Sequence, residues 1–267
     1  MTKWLVTLPP TLFLLAFFLV PALIVVGASV RTPGEFGGLA PWGGPSAEAY
    51  AFLLGDLIYA EIFARSFLVA ALTTLLCIVL AYPLAWLIAQ SPAKRRDLLV
   101  LLVILPFASN FLVRIYAWIM LLGPANLLYT PFAVIAGMVY VHLPFMILPL
   151  YTNLEKHDPA LLEAAQDLGA NAWTRFWRVT FPLSLPGIFS GSALVFIPVL
   201  GMFAVPELLG GTGDLLVGNL IKEQFLDNRD WPLGAALSIF LTAAVLACAG
   251  LAAWTARRGL HGTEAVS

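Results

Sequence analysis

Residues 98–105 read Leu-Leu-Val-Leu-Leu-Val-Ile-Leu. A strand that crosses a membrane in a closed barrel alternates apolar and polar side chains, because one face meets lipid and the other the lumen. A continuous aliphatic run cannot do that. It fits a helix that is apolar around its whole circumference. Outward from this stretch the pattern recurs. Trp4–Val30, Ser66–Ala93, Val179–Pro206 and Trp231–Ala256 carry no charged residue, and Arg114 alone separates Leu98–Val113 from Ile115–Leu154. About 20 apolar residues, each rising 1.5 Å, cross ~30 Å of hydrocarbon. Four runs fit one helix each. The central region fits two, divided where turn formers cluster between Gly123-Pro124 and Pro131. The reading is an all-α membrane protein: a single transmembrane domain over residues 1–267, with six helices near 8–30, 66–89, 98–122, 132–152, 187–206 and 232–255.

Composition agrees. Of 267 residues, 61% are hydrophobic and only 11% charged, against about 25% charged in soluble domains. The net charge of −1 carries no polyanion-binding signature, so nucleic acid is not an expected partner. Two cysteines and three histidines leave no disulfide framework and no metal centre to expect. Pro21, Pro83, Pro106, Pro144, Pro149 and Pro198 fall inside the runs. Such kinks are tolerated where neighbouring helices re-satisfy the backbone, which suggests a packed bundle around a pathway. The first run is longer than the ~7–15 residues of a leader's apolar core and no A-x-A site follows, so it reads as a span.

Orientation follows from the basic residues. Lys3, Lys94, Arg95, Arg96, Lys156, Arg175, Arg178, Arg257 and Arg258 fall on one face, and Arg31, Arg65, Lys222 and Arg229 on the other. Both termini are therefore expected in the cytoplasm. The outer face is acidic, with Glu207, Asp214, Asp227 and Asp230 among its carboxylates.

The segment 153–186 joins the fourth and fifth spans on the cytoplasmic side. Asp158 is a good N-cap and Pro159 a good first helical residue. A short helix over Ala160–Leu168 would end at Gly169. Asn171 would cap a second short helix that runs through Arg178 and stops before Pro182. Two helices joined by Gly-Ala make a knob suited to a groove on a cytoplasmic partner; on geometry alone an interfacial amphipathic connector fits as well.

Within this loop Glu163-Ala164-Ala165, three residues, Gly169, nine residues and then Val179-Thr180-Phe181-Pro182 resemble the EAA loop of bacterial ABC-importer permeases. Val179 and Phe181 stand where that pattern has Ile and Leu. Ala81-Tyr82-Pro83-Leu84-Ala85, Arg114-Ile115-Tyr116-Ala117-Trp118, Leu143–Tyr151, Pro206–Gly211 and Asn228–Pro232 look like segments of spermidine/putrescine permeases. The resemblance implies the six-helix bundle of a type I ABC-importer permease in the bacterial cytoplasmic membrane. It also implies a second permease subunit, homologous or identical, a cytoplasmic ATPase dimer that carries the ATP and Mg, and an extracytoplasmic solute-binding protein. Glu163, Ala164, Ala165, Gly169 and Pro182 would form the coupling contact with the ATPase. The chain has no G-x-x-x-x-G-K-[ST] loop and no Gly-Lys pair, so it binds no nucleotide in that way; no cofactor and no enzymatic activity are expected of it.

Two departures bear on cargo. The outer connection Gly123–Pro131 is short for the family, and Met202 follows Gly201 where members often carry an acidic residue. Candidate pathway residues are Arg114, Tyr116, Trp118, Phe203, Glu207, Asp230 and Trp231. Arg114 lies in the third span, where a charge costs ~2.5–3.5 kcal/mol on insertion scales. It reads either as a gate, paired with Glu207 or a partner permease, or as an arginine that snorkels to the outer interface. Glu207, Asp214, Asp227 and Asp230 could attract ammonium groups, and the aromatic rings could add cation–π contacts of ~0.5–2 kcal/mol each. The aromatics equally fit an interfacial belt. His142, Cys77 and Cys248 read as packing residues.

The expected function is therefore a permease subunit of an ABC importer, with a polyamine as cargo. The alternatives are another binding-protein-delivered solute (an organic cation, an amino-acid-like compound, a ferric or phosphonate ligand) and a self-sufficient secondary carrier. A carrier would show repeated spans and several intramembrane ionisable groups, and only Arg114 and His142 are present. An intramembrane enzyme would need a motif such as H-E-x-x-H or G-x-S-x-G, and neither occurs.

Overall fold

A computed structural model describes residues 2–211, 213 and 215–264. Among them the regular structure is helical, and the only extended pairing is an isolated bridge between Pro33 and Leu39. In chain order the helices are α1 (Thr2–Ser29), α2 (Glu48–Gly55), α3 (Leu57–Gln90), α4 (Ala93–Ile104), α5 (Phe111–Leu122), α6 (Pro131–Leu154), α7 (Pro159–Asp167), α8 (Ala172–Arg175), α9 (Phe181–Gly201), α10 (Ala204–Leu209), α11 (Val217–Lys222) and α12 (Trp231–Glu264). Five continuous stretches are long and apolar enough to span a membrane: in α1, α3, α6, the run Ala172–Gly201 and α12. A sixth candidate is the pair Ala93–Ala108 and Phe111–Leu122, bent by 92°.

That bend corrects the continuous third helix expected over 98–122. Pro106 has no N–H to continue an α-helical ladder, and Leu105–Ala108 tighten into a 3-10 turn. Ser109 is extended, and the Asn110 side chain accepts the Leu112 N–H at 2.8 Å, which starts α5 afresh. The fifth span is shifted too. It begins before 187 and ends at Gly201, because Met202 turns to an extended ψ of 122°. Phe203 and Glu207 therefore belong to the segment around the separate short helix α10. The amphipathic outer stretch before Ser66 is continuous with α3.

The chain divides into two compact units, Met1–Phe63 with Val217–Ser267, and Ala64–Leu216. In the second unit α6 is the most buried span and α9 lies along it. Two glycines four apart allow this close approach, as small-xxx-small pairs do between membrane helices. A Cβ on Gly187 would fall 2.7 Å from Asn153 Cβ, and one on Gly191 2.6 Å from Met146 Sδ. On α3 the buried residues Ser66, Ala70, Thr73, Cys77, Ala81 and Ala85 recur at helical spacing and form one small-residue face. Cys77 lies against the Val139 carbonyl, and Phe67 meets Phe196 edge-on at 5.9 Å.

In the first unit α1 packs along α12. Tyr50 of α2 bonds the Ser29 hydroxyl at 2.7 Å and its ring lies 6.5 Å from that of Phe240. The loop after α1 is held by Arg31, which donates to the Ala40 carbonyl and lies over Trp42. Gly38 N–H donates to the Arg229 carbonyl at 2.7 Å.

Candidate coupling site

The 153–186 loop folds from its caps. Asp158 accepts the Ala160 N–H at 2.9 Å and Pro159 opens α7, where its missing N–H costs nothing. At the other end Gly169 adopts φ +80°. Its N–H donates to the Gln166 carbonyl at 2.8 Å, and the Ala170 N–H to the Ala165 carbonyl at 3.0 Å. These two bonds make a Schellman cap. The cap explains the spacing read in the sequence. The carbonyl that receives the long bond belongs to the last alanine of Glu-Ala-Ala, and the left-handed residue must follow it by four.

Asn171 then accepts the Thr174 N–H at 2.8 Å and starts α8. The second helix does not stop before Pro182 as expected. It passes through a π-helical segment, Phe176–Thr180, directly into α9. The Phe181 N–H closes the wide turn on the Phe176 carbonyl. A proline ring clashes with the carbonyl four residues before it in a regular helix. The widened turn just ahead of Pro182 relieves that clash and lets the chain continue as a helix.

The knob presents an uncovered face. Glu163 is exposed and makes no ion pair among the described residues. Elsewhere on the knob Leu168 is 89% and Trp173 71% exposed, and Leu161 and Trp177 are also exposed. Behind this face the knob is tied to the spans. Arg175 donates to Gln166 Oε1 at 2.9 Å, joining α8 to α7. Arg96, at the start of α4, pairs with Glu155 at 2.7 Å. Rings of Trp173, Phe176, Trp177 and Phe181 contact one another at 5.0–6.4 Å between centroids. Tyr82 of α3 joins this cluster, 5.4 Å from Phe176 and 6.3 Å from Phe181. Sequence reasoning missed these rings. The 173, 176, 177, 181 spacing is a helical stripe and could have been found; Tyr82, far away in the chain, could not.

Of the candidate pathway residues, Arg114, Tyr116, Trp118, Phe203 and Glu207 belong to the second unit, and Asp230 and Trp231 to the first. Arg114 stands in the first turn of α5, just after the bend, and α5 runs on unbroken from it to Leu122. Its guanidinium lies 5.6 Å from the Phe107 ring and 5.9 Å from the Phe111 ring, and among the described residues no carboxylate pairs with it. Of the two partners considered for it, Glu207 and a partner permease, Glu207 forms no ion pair with it among the described residues. Tyr116 is exposed, and Trp118 meets Tyr140 edge-on at 5.6 Å. Phe203 and Glu207 are exposed beside α10, whose Val205 and Leu209 pack on Gly137. Asp230 caps α12, accepting the Leu233 N–H at 3.0 Å, and lines a small cavity with Glu48 and Phe52. Trp231 lines a separate open groove with Phe36 and Arg229. Asp227 is paired with Lys222 at 3.0 Å. Asp214 lies outside the described residues. His142 is buried, its Nδ1 2.8 Å from the Met138 carbonyl, as a packing histidine should be.

Comparison with known proteins gives this geometry a family. Residues 58–258 match the family described as the binding-protein-dependent transport system inner membrane component. The spermidine/putrescine transport system permease protein PotB of Escherichia coli K12 is 42% identical over 266 residues, 93% of this chain and 95% of that protein. Its Haemophilus influenzae counterpart is 44% identical over 248 residues, 86% of this chain and 85% of that protein. The inner membrane ABC transporter permease protein YdcU of Escherichia coli K12 is 32% identical over 208 residues, 67% of this chain and 66% of that protein. In fold the chain is similar to a bacterial ABC transporter that imports the acidic polysaccharide alginate, with a TM-score of 0.70, 19% identity and 96% of each chain covered. It is also similar to a bacterial alginate ABC transporter in complex with a pentasaccharide-bound periplasmic protein, with a TM-score of 0.72, 18% identity, and 96% of this chain and 94% of that one covered. With five stretches among the described residues long and apolar enough to span a membrane, a bent pair as a sixth candidate, a capped loop with Glu-Ala-Ala-x3-Gly spacing and a family match over most of its length, the chain is a membrane permease subunit: it belongs to the binding-protein-dependent transport system inner membrane components.

Proposed function

We propose that this chain is one permease subunit of an ABC importer for polyamines, folded as a single permease domain with both termini in the cytoplasm. The observation that carries the reading is the capped helix α7. It holds Glu163 and an apolar face in the open, on the loop whose basic flank is expected in the cytoplasm. That face is the docking surface for a cytoplasmic ATPase dimer, which binds the ATP and Mg. Glu163 supplies a polar contact. Ala164 and Ala165 keep the surface low enough for a groove to close over it, Gly169 sets the turn, and Pro182 sets the wide joint into the fifth span. A solute-binding protein delivers cargo on the outer side. Closure of the ATPase dimer draws together the knobs of this chain and a second permease, and the spans switch between outward and inward openings.

Likeness to PotB over 93% of the chain supports spermidine and putrescine as cargo. Arg114, Tyr116, Trp118, Phe203, Glu207, Asp230 and Trp231 are the proposed pathway residues. Ammonium groups would meet Glu207 and the aromatic faces, and Arg114 would act at the bend and not as a substrate ligand. Met202 in place of an acidic residue favours a second reading, the same machinery with another solute. The test is ATP hydrolysis and uptake in proteoliposomes holding the chain with its ATPase, second permease and binding protein. Stimulation of both by binding protein with spermidine or putrescine is expected. Stimulation by another solute and not by polyamines would move the cargo to the second reading. Transport by this chain without an ATPase would overturn the class.

A further inference from the structure

The π segment Phe176–Thr180 lies between the knob and the fifth span, and one side chain from another helix touches both its ends. Phe176 opens the segment and Phe181 closes it through the N–H to carbonyl bond between them. The Tyr82 ring contacts both phenylalanine rings, at 5.4 and 6.3 Å. Its hydroxyl lies 3.1 Å from Ser184 Oγ. Ser184 has a single hydroxyl proton and donates it to the Phe181 carbonyl at 2.8 Å, so Tyr82 is the donor toward Ser184. The chain Tyr82 O–H to Ser184 O–H to Phe181 C=O ends on the residue that closes the wide turn.

From this geometry we infer that Tyr82 is a positioning residue for energy coupling: it clasps the π turn and carries displacement of the α7–α8 knob into α3 as well as α9. The inference rests on the proposed role of the knob as the ATPase contact. A π turn has one residue more than an α turn and is frequent at functional sites. It is a place where a helix can change register or direction without losing its ladder. The two ends of the turn cannot move apart without sliding over the Tyr82 ring, and the buried Ser184 cannot reorient without releasing the tyrosine hydroxyl. The small-residue face of α3, which includes Ala81 and Ala85 on either side of Tyr82, lets that helix follow as a body.

The experiment is the ratio of solute taken up to ATP hydrolysed, measured for the whole reconstituted transporter with spermidine as probe. Tyr82→Leu removes the ring clasp, Tyr82→Phe only the hydroxyl, and Ser184→Ala breaks the relay with no ring lost. The expected result is a ratio reduced about tenfold in Tyr82→Leu, within the usual range of coupling between sites. The ratio should fall about threefold in Tyr82→Phe and in Ser184→Ala, with no further loss in their double variant because both break one chain. A purely structural tyrosine would lower uptake and hydrolysis together and leave the ratio unchanged, which would overturn the inference. Should Tyr82→Leu fail to assemble, an unchanged ratio in both milder variants overturns it equally. A wild-type complex that hydrolyses ATP without moving any solute would defeat the functional reading, and this inference with it. A coupled wild type with an unaltered ratio in the variants defeats this inference alone.

Discussion

Gly169 carries the one left-handed backbone conformation in the 153–186 loop. Its φ of +80° is left-handed backbone, yet a Cβ there would meet nothing within 4 Å. The cost of replacing it is therefore conformational and not steric, on the order of 1–2 kcal/mol for an ordinary L-residue and less for asparagine. Thermal unfolding of the detergent-solubilised chain should rank Gly169 above Asn, Asn above Ala, and Ala above Val. Equal midpoints for Gly169→Ala and Gly169→Val, both matching the native chain, would show that the Schellman cap does not hold the loop. Arg114 is the second residue with a clear consequence. Its contacts with Phe107 and Phe111 are worth ~0.5–1 kcal/mol each at a partly exposed site, and they bridge the bend on its two sides. Arg114→Leu should lower the unfolding midpoint and reduce uptake, and Arg114→Lys should lie between. Wild-type uptake and midpoint in Arg114→Leu would remove any role for the bend contact.

Among elements, the pair α6–α9 is the test of packing. At Gly187 the neighbour that a methyl would strike is Asn153 Cβ, with the Leu150 Cα 3.2 Å away; neither can swing aside. At Gly191 the nearest atom is the flexible end of Met146, although its carbonyl lies at 3.3 Å. Overpacking costs ~1–3 kcal/mol, so Gly187→Ala should destabilise more than Gly191→Ala. The reverse order in a detergent unfolding assay would contradict the described register. The caps Asp158, Asn171 and Gly169 were legible in the sequence because each depends on residues close in the chain, whereas the packing role of Gly187 and Gly191 shows only once α6 lies against α9. The bend at Ser109-Asn110 was signalled by Pro106 but not resolved, since proline inside an apolar run allows either a kink or a break. The π turn was illegible for a similar reason: Pro182 predicts that the regular ladder cannot persist, and it does not say whether the chain will stop or widen. Contacts such as Tyr82 with Phe176, and those of Arg114 with Phe107 and Phe111, depend on how the helices come together, and local pattern carries no such information.

For the whole molecule, composition and charge-free runs were enough to establish the membrane class, and the fixed spacing in one loop was enough to suggest the family. Neither specified cargo, because the candidate pathway residues are dispersed over separate helices. In the proposed function energy enters through the exposed face of α7 from a partner ATPase, in keeping with a sequence that carries no G-x-x-x-x-G-K-[ST] loop. The measurement that tests this most directly uses the doubly substituted loop Glu163→Lys with Gly169→Asp, reconstituted with ATPase, second permease and binding protein. The account predicts that uptake falls at least about tenfold and that binding protein no longer stimulates ATP hydrolysis, a loss of the size expected for breaking coupling between sites. Unchanged uptake and unchanged stimulation in a correctly assembled complex would contradict it.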